Sequence, residues 1–102
     1  MGLFRKKKEI VYDEAPSSAR FVMQVEDALY ISGRGTVVLG EIVKGTVNVG
    51  DIVTVSPDYS SSVDGIEANR TTIGSAGVGE RVGLLLADIP RGYVEKGAVV
   101  YQ

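Results

Sequence analysis

The sequence predicts an all-β fold of barrel or sandwich type, and three observations predict it. Short runs rich in β-branched residues recur from Phe21 to the C-terminus, separated by Gly, Pro, Asn, Asp and Ser. No amphipathic helical period lasts beyond about two turns, so helix content should be low. Glycines at 33, 35, 40, 45 and 50 fall within or between β-branched runs, where they permit bulges, sharp bends and the close passage of another strand.

The elements follow in order. In "RFVMQVEDAL", Phe21, Met23 and Val25 alternate with Val22, Gln24 and Glu26, the two-residue period of a half-buried strand. Gly33 to Gly35 leads into the strand "GTVVLGEIV", Lys44-Gly45 is a turn candidate, and "TVNVGDIVTVSP" returns. "SSVDGIEANR" reads as a moderately polar strand, "TTIGSAGVGE" as a loop, and "RVGLLLAD" as the most apolar strand. Pro90 and Gly92 then break regular structure, Gly97 permits a turn, and "AVVYQ" closes the chain.

The same glycines do not cradle a phosphate. A dinucleotide fingerprint would need glycine where Val38 stands, and a P-loop would need lysine where Glu41 follows Gly40 or Thr46 follows Gly45.

With 102 residues the chain makes one domain, burying roughly two thirds of the unfolded surface around a single core. Cys and His are both absent. That removes thiolate and imidazole metal ligands, the thiol nucleophile and the side chain best suited to proton transfer near neutral pH. No enzyme activity, no metal and no other cofactor are therefore expected.

A formal net charge of -2 argues against a whole-protein electrostatic grip on nucleic acid. The charge is uneven, however. Residues 1–20 hold Arg5, Lys6, Lys7, Lys8 and Arg20 against Glu9, Asp13 and Glu14, and the rest is acidic. This first stretch, with its "YDEAPSSAR", reads as a flexible basic tail and linker, and residues 21–102 as the folded domain. Its cations could meet anionic lipid headgroups or RNA phosphates, or remain simply solvated. No apolar run is long enough for a membrane span or a secretory signal, which makes a cytoplasmic protein the expectation.

Four separated segments carry a resemblance: "VEDALYISGRGTVVLGEIVKGTVNVGD", "VDGIEANR", "AGVGERVGLLLADI" and "VEKGAVV". Across residues 21–102 the sequence resembles the second domain of translational GTPases, nearest that of elongation factor Tu. The resemblance implies a small closed β-barrel of six or seven strands, of the translation-protein type. It also implies a non-catalytic binding module that contacts RNA, either a tRNA 3′ end or ribosomal RNA, or a translation-related protein. No small-molecule substrate is implied. The P-loop, D-x-x-G and N-K-x-D motifs of the GTPase domain are not found in this sequence, so no GTP hydrolysis by these residues is expected. The alternative is an adaptor that turns the barrel face toward another protein, brought by its tail to an anionic surface.

Mapped residue by residue, the resemblance places Glu26 and Asp27 as the acidic pair at a pocket rim and Arg34 in the Gly-Arg-Gly turn. It makes Glu67 the glutamate against which a terminal adenine packs, and Arg70 the arginine near the ester carbonyl. A carboxylate can meet a ribose hydroxyl and a guanidinium a phosphate, which suits such an end. Departures stand at Leu29, Leu39, Ala68 and Asn69, and at Arg81, where the family commonly has an asparagine near the amino group of the esterified amino acid. A cation at Arg81 should repel a protonated amine.

Plainer readings stand beside these. Adjacent strand residues such as Glu26 and Asp27 should face opposite sides of the sheet, as solvated charges. Arg34 could decorate an exposed turn, and Arg70 could pair with Glu67. The run Ser60 to Ser62 reads as loop filler. Tyr30, Tyr59, Tyr93 and Tyr101 suit packing at a barrel rim as well as base stacking.

Overall fold

A computed structural model describes residues 15–56 and 59–102. Arg5, Lys6, Lys7 and Lys8 of the expected tail, and the flexibility expected of them, lie outside the described residues. Among the described residues nine strands form, in order β1 (Val22–Ile31), β2 (Gly35–Lys44), β3 (Thr46–Asn48), β4 (Ile52–Val55), β5 (Tyr59–Ala68), β6 (Thr71–Ile73), β7 (Ser75–Gly77), β8 (Arg81–Leu86) and β9 (Val99–Tyr101). The described residues contain no helix long and apolar enough to cross a membrane.

Six strands close a ring in the order β4-β9-β1-β2-β8-β5, sealed by β4 pairing with β5. The fold is thus the closed barrel expected. β6 extends it as a hairpin on β5, and β3 pairs with β7 in a separate two-stranded ribbon. Closure satisfies the strand edges that an open sheet of this size would leave exposed.

Alternation builds the core. Met23 and Val25 of β1, Val38 and Ile42 of β2, Val53 and Val55 of β4, and Val82, Leu84 and Leu86 of β8 point inward together with Phe21. Val63 and Ile66 of β5, Val100 of β9, Val47 and Ala76 from the ribbon, and Ile89 and Val94 from the loop before β9 complete the same cluster. Thr36, buried beside them, donates its hydroxyl to the Ile89 carbonyl at 2.8 Å, so its polar atom is not stranded.

Two glycines explain how so small a ring closes. A Cβ on Gly40 would lie 1.9 Å from the Gln24 carbonyl oxygen of the neighbouring strand, and one on Gly45 would lie 1.7 Å from that of Arg20. Only a residue without a side chain lets these backbones pass.

Several expectations change. Residues 15–20, read as linker, pack against the barrel: Ala15 and Ala19 cover Val22, Val43, Val99 and Tyr101 on its outside. Val22 is therefore buried although it points away from the core, because an apolar outer patch recruits its own cover. The backbone amides of Arg20 and Phe21 both donate to the Gln102 carbonyl, at 2.7 and 3.2 Å, joining that segment to the last residue. "TTIGSAGVGE" contains β6 and β7, three-residue strands too short to show a period of their own. The serine run lies in β5, where the Ser61 hydroxyl is buried, donates to the Ser62 carbonyl and accepts the Asp88 amide.

Candidate functional site

The register places the site. On the outer face of the barrel, Leu29 of β1 lies opposite Val37 of β2, Val37 opposite Leu85 of β8, and Leu85 opposite Gly65 of β5. One row on, Asp27 faces Leu39, Leu39 faces Gly83, Gly83 faces Glu67, and Glu67 faces Thr72 of β6. In the next row Gln24 faces Glu41 and Glu41 faces Arg81. Residues distant in sequence thus share one surface, apolar in the middle and charged around it.

Gly83 makes the hollow. A Cβ there would meet the Leu39 Cδ2 at 3.1 Å and the Val37 Cγ1 at 3.3 Å, so these two side chains already lean over the space its own would take. The result is an open groove of about 290 Å³ whose charged lining is Glu26, Glu67, Arg70 and Arg81. A second hollow of about 210 Å³ adjoins it, shares Val37, Glu67 and Gly83, and is bounded by Ile31, Arg34 and Leu85. Of the six residues the sequence singled out, four meet in the first hollow and Arg34 reaches the second.

Asp27 enters neither. The register slips between Val25 and Asp27, so Glu26 is the extra residue of a β-bulge. The slip breaks the alternation, leaving both Glu26 and Asp27 exposed with Ala28 partly buried after them. The expectation that the two acids face opposite sides is overturned for this reason. Their roles also separate, since Asp27 accepts its neighbour's amide from Ala28 at 2.8 Å while Glu26 faces the groove.

Glu26 is engaged there. The Arg81 guanidinium donates to its carboxylate and lies 3.7 Å from Glu41. The hydrogen bond to Glu26, the charge of Glu26 and that of Glu41 push the Arg81 pKa above the ordinary arginine value. Arg81 is a permanent cation at this end of the groove.

Arg70 owes its place to a two-residue turn. Ala68 pairs with Thr71, and between them Asn69 and Arg70 take φ values of 53° and 65°, the left-handed pair of a type I′ hairpin. Asparagine tolerates that region, but arginine pays about 1 kcal/mol or more for it. The β5–β6 hairpin holds Arg70 at the groove's rim in spite of that strain. The Glu67 to Arg70 ion pair is not formed: among the described residues, the salt bridges are those of Arg81 alone, and neither Glu67 nor Arg70 uses its side chain in a hydrogen bond.

Sequence reasoning missed the floor. Gly83, Val37 and Leu85 carry no charge to draw notice, although a glycine inside the most apolar strand was a signal of close approach. It also missed that Arg91 lies over Tyr30, its guanidinium carbon 4.7 Å from the ring centre, beside the exposed Leu29 and Ile31. Tyr59 and Tyr93 pack edge to face, 4.7 Å apart. Among the described residues no acidic cluster is arranged to hold a metal ion.

The sequence model described as "Elongation factor Tu domain 2" matches residues 35–101. The chain belongs to the elongation factor Tu domain 2 family. Solved structures agree with the assignment. One is a bacterial selenocysteine-specific elongation factor, EF-Sec, with a TM-score of 0.76 and 25% identity, over 98% of this chain and 18% of that one. Another is the translation elongation factor SelB from Methanococcus maripaludis in its apo form, with a TM-score of 0.77 and 30% identity, over 99% of this chain and 24% of that one. The chain therefore spans no more than a quarter of the factors it resembles, and what it shares with them is a translation elongation factor's β-barrel.

Proposed function

We propose that the chain is a non-catalytic, translation-related binding module whose outer barrel face takes the 3′ end of an RNA. One observation carries the reading: Glu67 and Arg70, a carboxylate and a guanidinium that among the described residues make no side-chain ion pair, flank an apolar groove floored by Gly83. A terminal nucleoside matches that set. Its base offers a flat face to Val37 and Leu39 over the glycine, its ribose hydroxyl a donor to Glu67, and its phosphate an anion to Arg70, with Arg34 one hollow away for the next phosphate. The likeness to named translation elongation factors supports a translation-related role for the face. Since the residues given include no guanine-nucleotide motif, GTP is not expected to raise their melting temperature.

The test is a titration of the isotope-labelled chain with a short RNA ending in CCA, followed by amide NMR. Shifts should concentrate at Glu67, Arg70, Gly83 and Arg34, and affinity should fall as salt rises. Shifts absent from these positions at saturating RNA end the proposal.

A protein-adaptor reading has its own observation. Leu29, Tyr30 and Ile31 leave 52%, 40% and 38% of their surface exposed in three successive residues at the end of β1. A defined translation protein that binds the wild type, and is lost on Leu29→Asp without any loss of RNA binding, would favour it.

A further inference from the structure

We infer that an upstream base of the bound RNA stacks on the Tyr30–Arg91 pair, in a third hollow of the same face, an inference that rests on the RNA-end reading above. This hollow, of about 410 Å³, lies between the turn at Gly33 to Gly35 and the segment from Ala87 to Pro90, with Tyr30 and Arg34 in its wall. Arg34 also bounds the second hollow, which shares Val37, Glu67 and Gly83 with the first. The three hollows are therefore continuous along the barrel.

Charge separates them. In the first, Glu26, Glu67 and the adjoining Glu41 outnumber Arg70 and Arg81, and in the second Asp64 and Glu67 outnumber Arg34. In the third, Arg34 and Arg91 outnumber Asp88, and an aromatic ring is present. A polyanion leaving the first groove finds its favourable surroundings there. Aromatic rings and guanidinium planes both stack on bases, and here the Arg91 guanidinium carbon lies 4.7 Å from the centre of the Tyr30 ring with both residues exposed. The loop that carries Arg91 is anchored by other residues, since Ile89 and Val94 are buried in the core and the Ile89 carbonyl accepts the Thr36 hydroxyl. The reach also fits. Leu39 of the first hollow and Gly35 of the third are four residues apart on β2, about 13 Å. A stacked strand at about 3.4 Å per base would take about four steps to cross it, and a splayed strand fewer, which brings the third or fourth nucleotide from the 3′ end to Tyr30.

The experiment measures fluorescence anisotropy on the full chain with a pentanucleotide RNA ending in CCA, intact or abasic at one position, so that every phosphate is kept. In the wild type, loss of the base at the third or fourth position from the 3′ end should weaken binding about five-fold or more. In Tyr30→Ala the same abasic RNA should bind about as well as the intact one, and Tyr30→Phe, which keeps the ring, should restore the difference. Circular dichroism melting checks that each variant is folded. If Tyr30→Ala is not, nuclear Overhauser contacts between the Tyr30 ring protons and that base in the wild-type complex decide the matter, and their absence overturns the inference. An abasic penalty unchanged in a folded Tyr30→Ala, or no penalty at either position although the intact RNA shifts the Glu67 and Arg70 amides, overturns it and leaves the RNA-end reading standing. If the intact RNA does not bind, the RNA-end reading fails and this inference with it.

Discussion

Replacing Gly83 by valine should close the groove while leaving the barrel intact. The added Cβ starts 3.1 Å from Leu39 and 3.3 Å from Val37, against roughly 3.5–4.0 Å for relaxed carbon contacts. Both neighbours present side-chain carbons, so they can yield by a few tenths of an ångström. Overpacking of this kind costs about 1–3 kcal/mol. A domain of this size should therefore melt lower by about 4–8 °C for each kcal/mol, yet remain folded if its stability lies in the usual range of about 5–15 kcal/mol. Binding should suffer more. The isopropyl group occupies the space assigned to the base, and losing one stacked base costs about 1–3 kcal/mol, a fall of about 5- to 150-fold in affinity for the CCA-ending RNA. Thermal melting followed by circular dichroism measures the first quantity and anisotropy the second. Gly83→Ala, with a smaller intrusion, should show a reduced form of both effects. A folded Gly83→Val that binds the RNA as the wild type does would refute the assignment of this groove.

Other perturbations separate stability from binding. Arg70→Gly should raise the melting temperature, because glycine relieves about 1 kcal/mol of left-handed strain, and should weaken RNA binding with a salt dependence shallower by about one phosphate contact. Gly40→Ala has no tolerant neighbour, since its Cβ would lie 1.9 Å from a backbone carbonyl oxygen, so urea unfolding should show a loss above ~3 kcal/mol or no folded protein. Asp51 accepts the Gln102 side-chain amide at 2.7 Å and the Asn48 amide at 2.8 Å, and these bonds hold its carboxyl below the usual carboxylate range. Its contribution is thus complete above the unfolded-state pKa of about 3.9 and is lost as pH falls through the lower folded value. Melting temperatures recorded from pH 6 down to about 2 should drop less steeply for Asp51→Asn than for the wild type.

The barrel was legible because its signals are local and redundant. Phe21, Met23 and Val25 alternate, "RVGLLLAD" has one reading, and glycine at 40 and 45 announces that another backbone passes nearby. The bulge was not legible. Nothing in "VEDAL" distinguishes a regular strand from one with an extra residue, because the slip is a property of how β1 pairs with β2 across the ladder. The charged members of the site were found by resemblance, and their partners could not be. That Arg81 engages Glu26 depends on β1, β2 and β8 lying side by side, fifty-five residues of chain apart. The left-handed turn at Asn69 and Arg70 was hidden for a related reason, since "ANRT" lacks the glycine that usually marks such a hairpin. The cover supplied by Ala15 and Ala19 was hidden as well, because small residues in a polar stretch carry almost no hydrophobic signal.

The hydrogen bonds from Arg20 and Phe21 to Gln102 bring the entry and exit of the barrel to a single spot. Polypeptide arriving at one and departing from the other would be separated by little more than the width of a ladder rung. Such a unit can hang from a larger scaffold as a pendant without prying it apart. It should also tolerate circular permutation, with a short glycine-serine bridge across that spot and new termini opened in the loop between β8 and β9 at Gly92, whose positive φ and open surroundings leave the strands untouched.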